Sequence, residues 1–99
     1  MIIINNNDLY MLDYDNAIDI TPTHASYYTP STNGIISMRG KTVDKQVFGI
    51  MDIDYGFGNV SSVYTIFNVH ISVPVNKGRT YQFITNEATI AYCKFIPFK

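Results

Sequence analysis

Hydrophobic and polar residues alternate along the second half of this chain. From Val63 onward Thr65, Phe67, Val69, Ile71, Val73 and Val75 fall on one side and Tyr64, Asn68, His70, Ser72 and Pro74 on the other. That is the two-residue period of a strand. The stretch is too long for one ordinary strand, which predicts a break or bend near Asn68. Over residues 34–40 the same period sends Ile36 and Met38 toward a core and Ser37 and Arg39 outward. Phe67 and Ile71 are read as core. Turn-forming clusters recur throughout: Asn5-Asn6-Asn7, Asp13 to Asn16, Thr21-Pro22-Thr23, Pro30 to Gly34, Gly40-Lys41, Asp54 to Asn59, Asn76-Lys77-Gly78 and Asn86-Glu87. The runs between them have the length of strands rather than helices, and regular turn spacing predicts an antiparallel sandwich or barrel.

The closing segment, residues 89–99, departs from simple alternation. Ile90, Tyr92, Ile96 and Phe98 share one face with Lys94, while Ala91, Cys93 and Phe95 share the other. Large apolar groups on both faces imply cover on both sides, either from another copy of the chain or from a loop of the same chain. Tyr92, Phe95, Ile96 and Phe98 are the candidate oligomer contacts. Which face points inward stays open, because a register slip of one residue exchanges them. Residues 1–24 are read as an N-terminal strand or connector and residues 25–99 as the main β-sandwich domain. Asn33-Gly34 and Asn76-Lys77-Gly78 are expected to supply the positive φ angles of tight turns. Pro30 is expected to end a strand, and Pro74, which lacks a ladder donor, to sit on an edge or at a bulge.

Composition narrows the picture. The chain has 99 residues, 46% of them hydrophobic, enough for one core, and its eight Tyr and six Phe are β-prone. A net charge of −1 gives no overall basic field to hold nucleic acid. The signs are unevenly placed, with Asp8, Asp13, Asp15 and Asp19 early and Lys77, Arg79, Lys94 and Lys99 late. Cys93 is the only cysteine, so neither an internal disulfide nor a cysteine zinc site is possible. The apolar start Met1 to Ile4 is short and runs into asparagines, and is read as neither a signal peptide nor a membrane span.

Candidate chemistry is sparse. His24 and His70 are the only histidines, Ser26, Ser61, Ser62 and Ser72 are possible nucleophiles, and no Gly-x-Ser-x-Gly elbow accompanies them. Cys93 in an apolar strand reads as an inert buried thiol. Asp52 with Asp54, and Asp13 with Asp15, share faces at two-residue spacing, the arrangement of paired carboxylates in glycoside hydrolysis or of hard-cation ligands. The run Asp52-Ile-Asp-Tyr-Gly56 lacks calcium-loop spacing, and acids beside glycine read as a solvated turn. Gly56-Phe57-Gly58 is too short for a phosphate loop. Tyr27, Tyr28, Tyr55 and Phe57 are the candidate ligand contacts, since an aromatic ring offers a rigid apolar face to a sugar. No cofactor or metal is expected, and no enzymatic activity.

Three segments carry a resemblance. Tyr27-Tyr-Thr-Pro-Ser-Thr-Asn-Gly-Ile-Ile-Ser37, Ile71-Ser-Val-Pro-Val-Asn-Lys-Gly-Arg-Thr80 and Lys94-Phe-Ile-Pro-Phe-Lys99 resemble the C-terminal head domains of fibre-type structural proteins from tailed bacteriophages. The match spans residues 25–99, and Arg79 departs from the acidic residue usual after that glycine. The resemblance implies a jelly-roll sandwich that forms a homotrimer, similar to heads of tumour-necrosis-factor and complement type. It also implies a non-enzymatic virion protein, a fibre head or capsid decoration, whose partners are its own copies, other virion proteins and a host-surface glycan or protein. A monomeric carbohydrate-binding module is the alternative. Neither membrane insertion nor nucleic-acid binding is expected.

Overall fold

A computed structural model describes residues 11–42, 48–54 and 67–99, and the backbone of residues 60–63. Within these residues the chain forms eight strands: β1 Ile18–Asp19, β2 Tyr27–Tyr28, β3 Gly34–Thr42, β4 Phe48–Asp52, β5 Val60–Val63, β6 Val69–Val75, β7 Tyr81–Ile84 and β8 Ala88–Pro97. They make two antiparallel sheets, one ordered β1-β8-β3-β6 and the other β2-β7-β4-β5. The sheets face each other across one core. Ile36, Met38, Val75, Cys93 and Phe95 come from the first sheet, and Phe48, Ile50, Tyr81 and Phe83 from the second. Each large side chain so buried stabilises the fold by about 1.5–3 kcal/mol relative to exposure. Tyr28 of the second sheet meets Phe95 of the first, ring centroids 5.8 Å apart.

In β3 Ile36 and Met38 are fully buried and Arg39 is exposed, as expected, whereas Ser37, on the outer face, is only 7% exposed. The long alternating stretch does break. β5 ends at Val63 in one sheet, β6 begins at Val69 in the other, and Asn68 lies outside both. Pro74 belongs to β6, which stands at the end of its sheet's strand order, where a missing donor costs no ladder bond on the outer side. Phe67 is corrected: it is 75% exposed, because it precedes β6 rather than lying in it.

β8 pairs with β3 from Pro97 opposite Gly34 to Ala88 opposite Thr42, with a register shift between Arg39 and Gly40. Tyr92 opposes Arg39 and Ile90 opposes Gly40, so Ala91 is an unopposed bulge residue. The bulge changes which residues share a face. Ala88, Ile90, Cys93 and Phe95 point inward with the core positions of β3, and Tyr92, Lys94 and Ile96 point outward. Ile90 therefore does not share a face with Tyr92, contrary to plain alternation.

The segment before β2 belongs to the first sheet. Ile18 and Asp19 oppose Phe95 and Lys94, and Leu12 bridges Phe98. Between those two contacts the N-terminal segment carries more residues than β8, and the excess is taken up by a 3-10 turn, Tyr14–Asn16, packed against β8. Asp13 N–H donates to Pro97 O at 2.8 Å and Ile20 N–H to Cys93 O at 2.9 Å.

The turn chemistry differs from expectation at one of two sites. Arg79 N–H donates to Asn76 O at 3.2 Å and Gly78 has φ +79, the left-handed third position of a type II turn. Neither Asn33 nor Gly34 has a positive φ. Glycine is required at 34 by close approach instead. A Cβ there would collide with Ile96 O and lie 2.8 Å from Pro97 Cα and 2.9 Å from the Phe95 ring. Gly34→Ala is accordingly expected to lower stability by at least about 2 kcal/mol, measured as a shift in urea midpoint at unchanged m-value.

Candidate functional site

The polar and exposed groups gather at the two ends of the sandwich and on the outer face of the first sheet. At one end, the three segments that carry the resemblance meet. Gly78 N–H donates to Pro30 O at 3.0 Å, and Phe98 N–H to Asn33 O at 3.0 Å. The Asn33 side chain accepts from Lys77 N–H at 2.7 Å, and Tyr81 Oη accepts from Asn76 N–H at 2.7 Å. Asn33 therefore joins the turn before β7 to the end of β8 through two different acceptors.

Beside this junction lies the most buried charge among the described residues. Asp52, at the end of β4, is 1% exposed and accepts from Arg79 Nε at 2.7 Å and Nη2 at 3.3 Å. Its Oδ1 also accepts from Asp54 N–H at 3.0 Å, and Asp54 Oδ2 stands 3.7 Å from Arg79 Nη2. The expectation of a solvated acidic pair is corrected. Arg79 converts one carboxylate into a buried structural partner and leaves Asp54 exposed, so the two acids do not flank an open substrate position.

The outer face of the first sheet presents a row of Tyr92, Arg39 and His70 across three strands, and beside it a row of Lys94, Ser37 and Ser72. His70 Nε2 lies 2.6 Å from Ser37 Oγ and 3.4 Å from Ser72 Oγ, and its ring is 6.1 Å from that of Tyr92. Lys94 Nζ reaches Asp19 Oδ1 at 3.4 Å, both exposed. Ser37 is the hydroxyl placed on histidine. Its backbone lies between two paired strands, so no amide pair is turned outward to hold an oxyanion.

At the other end a cavity of about 540 Å³ opens where the chain after β1 diverges from β8, lined by Ile20, Pro22, His24, Thr85, Ile90 and Cys93 among others. His24 Nδ1 accepts from Thr85 N–H at 3.2 Å. The Cys93 thiol is pushed up to about 12 by burial, so it is protonated and unreactive at neutral pH. Burial also raises Tyr28, with a smaller contribution from Cys93.

The sequence-derived candidates scatter. Phe95 is 1% and Ile96 5% exposed within a single chain, so both are corrected as contacts for another copy. Phe95 faces the core because the bulge fixes the phase of β8, and Ile96 lies on the opposite face across from Ile35 of β3. Tyr92 is 38% exposed and Phe98 half-buried beside Leu12. Tyr27 is 64% exposed while Tyr28 leans into the core. They share no surface, because neighbours on a strand point oppositely. Tyr55 and Phe57 lie outside the described residues, as do the side chains of Ser61 and Ser62. Among the described residues no three His, Cys, Asp or Glu side chains are grouped to hold a metal.

Two outcomes are expected. Arg79→Met leaves a buried carboxylate without its cation and should cost about 3 kcal/mol or more, read by chemical denaturation. Cys93 should resist iodoacetamide in the native protein and react on unfolding. The thiol's folded pKa lies above its ordinary value, so its contribution to stability is complete below about pH 9 and declines as pH rises toward about 12. A Cys93→Ser variant should lack that component of the decline. The chain matches no family model, and no curated protein and no solved structure matches it.

Proposed function

We propose that this chain is a non-enzymatic structural protein of a bacteriophage virion, a jelly-roll head or capsid decoration that assembles as a homotrimer and serves attachment. The observation that carries the reading is the junction at Asn33. The three segments that resemble phage fibre heads lie 44 residues apart at one of its hydrogen bonds and still meet in one bonded corner, as parts of a single motif would. The strand orders β1-β8-β3-β6 and β2-β7-β4-β5 support a jelly roll, since eight strands in two interleaved Greek keys produce such orders.

Self-assembly draws support from the exposed apolar groups flanking β8. Met11, Tyr14 and Ile18 are 43%, 68% and 49% exposed along one edge of the first sheet, and Tyr92 stands on its outer face. Acidic Asp13 and Asp15 stand at that edge, while Arg39 and Lys41 lie on the face and Lys94 pairs with Asp19 of its own chain between them. An apolar strip with a charged rim is the anatomy of a protein contact, and an edge of one sign meeting a face of the other suits a closed ring of copies. Phage origin, trimer and virion location rest on the resemblance.

The second reading, a monomeric carbohydrate-binding module, is favoured by the exposure of Tyr27. Sedimentation at micromolar concentration separates the two. A trimer is expected, dissociated by Lys94→Glu with the fold retained, and a monomeric wild-type chain overturns the assembly. Glycan binding by a monomer, lost on Tyr27→Ala or Tyr55→Ala, would establish the module instead.

A further inference from the structure

We infer that the cavity between residues 20–24 and the first half of β8 is a binding site for a small neutral polyhydroxylated ligand, a sugar of one or two rings. Its volume of about 540 Å³ lies within the usual range for small-molecule sites. The lining sets the chemistry. Thr21, Thr23 and Thr85 contribute hydroxyls, Ile20, Pro22 and Ile90 apolar surface, and none of the described residues that line it is Asp, Glu, Lys or Arg. A charged ligand would enter without a counter-charge, whereas a sugar pairs hydroxyls with hydroxyls and lays its C–H face on the apolar wall.

Two polar groups are held there in advance. Thr85 is 8% exposed and lines the cavity. Among the described residues no buried side-chain oxygen or nitrogen lacks a partner, so a Thr85 hydroxyl that is not bonded within the chain is one that opens to the cavity. His24 is fixed from behind. Its Nδ1 accepts the Thr85 N–H, which assigns the ring proton to Nε2 and makes that nitrogen a donor.

The backbone that sets this geometry is strained on both sides. Ser26 N–H donates to Thr23 O and Ala88 N–H to Thr85 O, each at 3.0 Å, closing two turns that bracket the site. Each turn has a non-glycine residue at positive φ, Ala25 at 65 and Glu87 at 56. They are the two such residues among those described, at a cost of about 1–2 kcal/mol each. Each strained residue lies beside lining ones, Ala25 next to His24 and Glu87 between Thr85 and Ala88, so the two turns fix the residues that face the recess.

The inference rests on the attachment reading for where such a sugar would be met, but the binding itself is measured apart from assembly. Methyl glycosides of glucose, galactose, mannose and N-acetylglucosamine are titrated into the full chain, followed by amide NMR, with glucuronate as the charged control. At least one neutral glycoside should shift the Thr85 amide saturably and bind about ten-fold tighter than glucuronate. Thr85→Val removes the hydroxyl at constant shape, and His24→Ala removes the donor. Each should weaken binding about ten-fold at an unchanged fold, whereas Lys77→Ala, at the opposite end of the sandwich, should leave it unaltered. Absence of saturable shifts with all four glycosides, equal binding of glucuronate, or wild-type affinity in both cavity variants overturns the site. A trimer without sugar binding would sink this inference alone, and a monomer that binds would sink the assembly alone.

Discussion

The close pairing of β3 with β8 is the constraint on which the rest of the sandwich depends. β8 stands between β1 and β3, so one strand must satisfy a neighbour on each side while its inner face fills the core with Cys93 and Phe95. The approach is tight enough at Gly34 that no Cβ fits between β3 and the β8 backbone. Once that contact is made, Asn33 is positioned to bind both the closing strand and the turn before β7. The two sheets are thereby tied at one end by main-chain and amide groups rather than by side-chain packing alone. At the other end the pairing of β2 with β7 is extended within the second sheet by Thr85 N–H on His24, Ala25 N–H on Phe83 O and Phe83 N–H on Ser26 O.

Much of the fold was legible because it is local. Alternation placed Ile36 and Met38 inward, the length of the stretch after Val63 forced its division, and the missing donor of Pro74 confined it to an edge. Other features depend on what lies opposite in space. Gly34 reads as a turn glycine in sequence, and only the strand across from it reveals a steric requirement. Ala91 has no signature of a bulge, so the phase of β8 could not be read through it. Phe67 fits the alternation but falls before the strand begins, where periodicity has no hold.

The sites were less legible than the fold. Asp52 and Asp54 carry the spacing of a carboxylate pair, yet the group that decides their roles is Arg79, 27 residues away. His24 and Thr85 are separated by 61 residues, and neither has a motif around it. Ser37 and His70 were each placed outward by the strand period, but their meeting required the register of β3 against β6. Side-chain chemistry in a sandwich is assembled across strands, so a linear reading finds the participants and not the pairs.

The bulge at Ala91 bears on chain length as well as on packing. Residues 88 and 90 on one side of it, and 93 and 95 on the other, all face inward, so the strand would keep every inward and outward neighbour if that residue were absent. Ala91 is therefore the place in β8 where one residue can be lost without turning the strand inside out. Elsewhere along the ladder a single insertion or deletion exchanges core for surface. Because this tolerant position also lines the cavity, the shape of that recess can change by a whole residue while the sandwich around it stays in register.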